Sequence, residues 1–119
     1  MPLTVFIDEP ADLHLTHSVC RIKGWCSSDQ DEDLRGLDFR IGGSRVPYSS
    51  FMRPDVQEAC PDKAIAGFFV HLDLSFYMHV VRDRGFTLQV ITARLAPVDL
   101  HFRVSAGAIG SCLEAAGGA

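Results

Sequence analysis

The chain has 119 residues, 47% hydrophobic and 22% charged, which suits one globular domain with a core that needs no metal or disulfide to fold. Its formal net charge of −4 comes without a basic stripe, which excludes nucleic acid as an expected partner. No apolar run approaches the ~20 residues that span a bilayer, and residues 1–10 lack the segments of a secretory signal, so a cytoplasmic location is expected if Met1 is native, an excised domain with an added Met being the equal alternative.

Leu3 to Asp8 reads as a first strand, with Leu3, Val5 and Ile7 alternating against Thr4, Phe6 and Asp8, and Glu9-Pro10 breaks it. Leu13 to Trp25 reads as a long second strand, yet neither parity is apolar throughout. That predicts a bulge near His17–Ser18 or a break between two shorter strands. Residues 27–33 (SSDQDED) form an acidic loop without the glycine and ligand spacing of an EF-hand, and are read as solvated. Leu34 to Ile41 is a third strand with Leu37, Phe39 and Ile41 facing inward. Gly42-Gly43-Ser44 supplies the positive φ of a hairpin turn. Arg45 to Tyr48 returns as a fourth strand, which Pro47 marks as an edge.

Pro54 suits the first position of a helix and Pro61 cannot continue one, so a short helix is predicted over residues 54–59, with Val56 and Ala59 sharing a buried face. Ile65 to Leu74 follows as a fifth strand, with Phe68, Val70, Leu72 and Leu74 on the core side. Arg82 to Gly85 is a turn, Phe86 to Leu95 a sixth strand, and Val98 to Ser105 a seventh. Residues 107–119 are small and Gly-rich, and are expected to be a flexible tail or linker after a 1–106 domain. Seven short strands with turns at fairly regular spacing predict an all-β, antiparallel two-sheet sandwich with one short helix.

The order Ile7-Asp8-x-Pro10, Gly24-Trp25, a glycine hairpin, Arg53-Pro54-Asp55-Val56, Pro61 and Gly67-Phe68 resembles a bacterial immunoglobulin-like accessory domain, of the kind found beside glycosyltransferases of surface-polysaccharide synthesis. The resemblance covers residues 5–105. It implies an immunoglobulin-like sandwich without chemistry of its own, which binds carbohydrate or docks a catalytic domain of the same protein. A structural or assembly domain, forming a homo-oligomer through a sheet edge, is the alternative, and a small enzyme the third.

The candidate binding residues are Trp25, Arg53, Asp55 and Tyr48. Trp25 is either a platform for a sugar ring or a core aromatic. Arg53 and Asp55 either bind an anionic group or cap the short helix and tie it to a strand. Tyr48 ends the edge strand. The four cysteines lack metal or redox spacing and are read as reduced, mostly buried thiols. Of the five histidines, only His71 and His101 could meet across strands, with no third ligand. No cofactor, metal or catalytic residue is expected.

Overall fold

The computed structural model describes residues 3–29, 34, 36–93 and 95–117, with side chains through residue 113. Its strands are β1 (Thr4–Glu9), β2 (His14–Leu15), β3 (Val19–Ser28), β4 (Asp38–Ile41), β5 (Ser44–Arg45), β6 (Tyr48–Phe51), β7 (Ala64–Asp73), β8 (Gly85–Ile91) and β9 (Val98–Val104). One sheet has the order β1-β3-β7-β6 and the other β2-β9-β8-β4-β5. Every pairing is antiparallel except β2 with β9. The chain is thus the expected all-β sandwich. Among the described residues no helix is long and apolar enough to cross a membrane.

The core follows the two-residue period of the strands. On β7, Phe68, Val70 and Leu72 are buried, while His71, between them, is exposed. Phe86, Leu88 and Val90 of β8 answer from the other sheet, with Phe102 and Val104 of β9. Phe39 of β4 closes on Phe68 with ring centroids 4.8 Å apart, joining the two layers. Each such side chain, fully withdrawn from water, contributes roughly 1.5–3 kcal/mol.

Four features refine or differ from the sequence reading. First, Leu13 to Trp25 is broken into two shorter strands, one of the two alternatives expected near His17–Ser18. β2 belongs to the five-stranded sheet and β3 to the four-stranded one, so no single parity could be apolar along both. The chain turns at Leu13 (φ 56°), whose N–H donates to the Pro10 carbonyl at 3.0 Å.

Second, β3 runs on through Ser27 and Ser28, both buried, so the acidic loop starts later than expected. Asp29 pairs with Lys63 at 3.5 Å, and residues 30–33 of that loop lie outside the described residues. Third, Arg45 to Tyr48 spans a change of sheet. β5 ends at Arg45, Val46 is buried, and β6 begins at Tyr48 in the opposite layer. Pro47 has no N–H to continue a ladder, so the crossing falls there, and both short strands are sheet edges.

Fourth, the expected tail is a helix, α2 (Ala106–Gly117). Ser105 starts it, its hydroxyl accepting from the Ala108 N–H at 3.1 Å. Ala108 and Cys112, four apart on one face, are buried. The helix packs on the 3-10 turn Leu74–Phe76, where residues as small as these allow a close approach. Residues 118 and 119 of the expected tail lie outside the described residues. The short helix α1 (Pro54–Ala59) has its expected bounds but not its expected buried face: Val56 is half-buried and Ala59 exposed. It is tied down instead by polar contacts, Gln57 Nε2 donating to the carbonyls of Cys60 (3.2 Å) and Lys63 (2.7 Å).

The β8 entry turn provides a stability test. Asp83 and Arg84 both hold positive φ, 53° and 56°, which costs a side-chain-bearing residue about 1–2 kcal/mol. Asn-Gly is the preferred pair for such a turn. Replacing Asp83→Asn together with Arg84→Gly is expected to raise the unfolding free energy by about 1 kcal/mol, after the flexibility cost of glycine. A urea midpoint shifted upward at constant m would show it; an unchanged or lower midpoint would refute it.

Candidate functional site on the outer face of the four-stranded sheet

The alternation that sends Phe68 and Ile22 inward sends their neighbours outward. Strand register then lines up one row across the sheet: Phe6 of β1, Trp25 of β3, Gly67 of β7 and Phe51 of β6. Phe6 and Trp25 stack with ring centroids 4.2 Å apart and planes 20° from parallel. Trp25 is half-buried by this contact, while Phe6, on the edge strand, keeps 45% of its surface exposed. The exposed aromatic plane is therefore Phe6, backed by Trp25.

Gly67 has a specific reason to be glycine. A Cβ there would come within 2.7 Å of the Phe51 ring, so the ring lies directly on the strand backbone. Phe51 in turn contacts Phe69, two residues along β7, at 4.7 Å. Two cations from β3 lean over Phe69: the Arg21 guanidinium carbon lies 4.8 Å from the ring centroid and Lys23 Nζ 5.9 Å. Beside them the Ser49 hydroxyl and His71 Nε2 share a hydrogen bond of 2.9 Å.

Arg53 comes to this face from the position just before α1. It forks onto Asp55 (both contacts 3.1 Å) and donates Nη1 to Asp8 at 2.7 Å. Asp8 lies two residues beyond Phe6 on β1, so this cluster borders the aromatic pair and joins segments from opposite edges of the sheet. The carboxylates of Asp55 and Asp8 push the Arg53 pKa up through the hydrogen bonds they accept. Arg53 in return holds the Asp55 carboxyl below the usual carboxylate range. Because the folded value is depressed, the contribution of Asp55 is complete above the unfolded value near ~3.9 and is lost as pH falls through the folded one. Melting curves should therefore show the wild type ahead of Arg53→Gln at neutral pH, with the gap closing in acid. A gap independent of pH would refute that linkage.

Of the four candidate residues, the structure brings Trp25, Arg53 and Asp55 to one side of the sheet and turns Tyr48 the other way. Tyr48 packs its ring on Phe39 (4.9 Å) and donates its hydroxyl to the Leu37 carbonyl at 2.7 Å, bridging the two sheets. A neighbouring groove of ≈ 690 Å³ runs along the end of β6 and under α1, lined by Phe51, Met52, Arg53, Pro54, Gln57, Glu58, Pro61 and Ile65 among others; Met52 is 88% exposed. Sequence reasoning passed over Phe6, Phe51 and Phe69. The available signal was an aromatic side chain on the polar parity of a strand.

The remaining chemistry-bearing residues are dispersed. His71 and His101, expected to be able to meet, lie in different sheets, and His101 Nδ1 bonds Thr87 Oγ1 at 2.9 Å. No three His, Cys, Asp or Glu side chains converge as a metal site among the described residues. The cysteines are free thiols, with Cys26 and Cys112 buried. Burial pushes the Cys26 pKa up to about 12, which keeps it protonated and unreactive at neutral pH. Compared with known protein families, with curated proteins and with solved structures, the chain matches none.

Proposed function

We propose that this chain is an immunoglobulin-like accessory module of a glycan-related protein, without catalysis of its own, and that it holds carbohydrate on the outer face of its four-stranded sheet. The observation that carries this reading is the Phe6–Trp25 stack, an aromatic plane left open to water on a rigid sheet and bordered by charged groups. Sugar rings present C–H faces that pack on such planes, while their hydroxyls meet neighbouring polar groups.

Strand order supports the immunoglobulin-like part. Lettering the strands in chain order with β2 as an offshoot of the first, the sheets become ABED and GFC with a short C′, the memberships of that fold. The residue pattern from Ile7 to Phe68 supports the glycan-related part only by resemblance.

The test is a titration of the labelled protein with a panel of neutral and acidic oligosaccharides, followed by amide and Trp25 indole resonances. Saturable shifts centred on Phe6 and Trp25, weakened about tenfold in Phe6→Ala, are the expected result (about 1.4 kcal/mol). Dispersed spectra that do not respond to any sugar would overturn it. The groove with exposed Met52 favours a second reading, docking of a catalytic domain of the same protein. Shifts confined to Phe51–Ile65 on adding that domain would select it.

A further inference from the structure

The outer face carries an electrostatic feature that a neutral sugar does not use. Arg21 and Lys23 both lean on the single ring of Phe69, so two like charges are drawn toward one point. Among the described residues, Arg40, Arg45, Arg53 and Lys63 each have a carboxylate within ion-pair distance, whereas Arg21 and Lys23, like Arg82, Arg84 and Arg103, have none; what sets Arg21 and Lys23 apart is that they converge on one aromatic ring. In a chain of net charge −4, acidic partners are not scarce.

The nearby carboxylates are committed or set apart. Asp8 is bound by Arg53. Asp73, beyond Arg21 on the neighbouring strand, accepts from both the N–H and the hydroxyl of Ser75. Glu9 is the cross-strand partner of Lys23 but lies outside ion-pair distance, Lys23 having turned toward β7. The cross-strand partner of Arg21 is His71, not an acid. Two cations converging on an aromatic ring, without an internal counter-charge, form a place for an external anion.

Its position relative to the aromatic pair narrows the class of ligand. Lys23 precedes Trp25 by two residues on β3 and shares its face, which sets their Cα atoms about 7 Å apart. A pyranose on Phe6–Trp25 therefore brings a ring substituent within reach of Lys23, and the next unit along the strand meets Arg21. A guanidinium fork matches a carboxylate in two parallel hydrogen bonds. We propose that the ligand of this face is an acidic saccharide whose carboxylates are held by Arg21 and Lys23 while its rings lie on Phe6 and Trp25. This rests on the carbohydrate reading above.

The probes are a galacturonic-acid tetrasaccharide and the same tetrasaccharide with its carboxyls reduced to alcohols, each titrated into the wild type, Arg21→Gln/Lys23→Gln and Phe6→Ala. Neither cation contributes to the buried core, so the double variant keeps the fold, and its amide spectrum verifies this. The acidic sugar should bind about tenfold more tightly than the reduced one, a margin that shrinks with added salt and vanishes in the double variant. Phe6→Ala should weaken both sugars alike. Equal binding of the two sugars by the wild type would overturn the acidic specificity and leave the carbohydrate reading standing. Failure of both to bind would overturn both.

Discussion

Gly24→Ala is expected to cost about 3 kcal/mol, the upper part of the range for overfilling a packed interior. Gly24 lies on the core side of β3, between Ile7 of β1 and Phe68 of β7. A Cβ there would collide with the Phe6 carbonyl oxygen and come within 2.9 Å of Phe68 Cζ and 3.2 Å of Ile7 Cδ1. The two side chains can adjust by rotation. The carbonyl cannot, because it moves only with the strand, so the route to relief is separation of β1 from β3. That separation also withdraws Phe6 from Trp25, and the variant should lose protection of the β1 amides and expose Trp25 to water. Adding Phe68→Leu should recover little, since the backbone clash remains. Gly110→Ala, on the helix α2 with no atom close to the new methyl, should instead gain about 0.5–1 kcal/mol. Urea unfolding of the three variants decides the matter. A wild-type midpoint for Gly24→Ala would refute the steric argument.

Phe68→Ala should have the largest effect of any single truncation, about 4 kcal/mol. Phe68 is fully buried at the centre of β7, the strand that pairs with both β3 and β6. Its ring lies under Gly24 and against Phe39 of the opposite sheet. Removing it opens a void that rigid neighbours on both layers cannot close. With total stabilities of about 5–15 kcal/mol typical of such domains, a large part of the margin would go. Phe69→Ala, one residue along and on the outer face, should cost far less. A similar loss at both positions would mean that the outer face is as important to the fold as the core.

The strand alternation from Ile65 to Leu74, from Phe86 to Val90 and from Val98 to Val104 was legible because each strand buries one face, so its two parities differ in composition. So were the glycine turn at Gly42-Gly43 (φ 57° and 85°) and the bounds of α1, since glycine and proline act through local sterics. The changes of sheet at Leu13–Ser18 and at Pro47 were legible only as irregularities, because pairing partners are set by distant residues. α2 was missed because its buried face is made of Ala108 and Cys112, too small to stand out against a Gly-rich background. In the candidate site, Trp25 and Arg53 stood out by type. That Tyr48 faces the other way depends on β6 beginning after the crossing at Pro47, which no local pattern reveals.

The parallel pairing of β2 with β9 bears on how the chain assembles during its own synthesis. His14 and Leu15 find their partners in Arg103 and Val104, and the carbonyls of Leu13 and Leu15 wait for the N–H groups of Arg103 and Ser105. A nascent chain released as far as β8 already holds both strands of the β1–β3 pair, yet keeps one edge of its second sheet unmade. The emerging domain thus carries an open strand template until β9 has left the ribosome, and its closing step joins two strands far apart in the sequence.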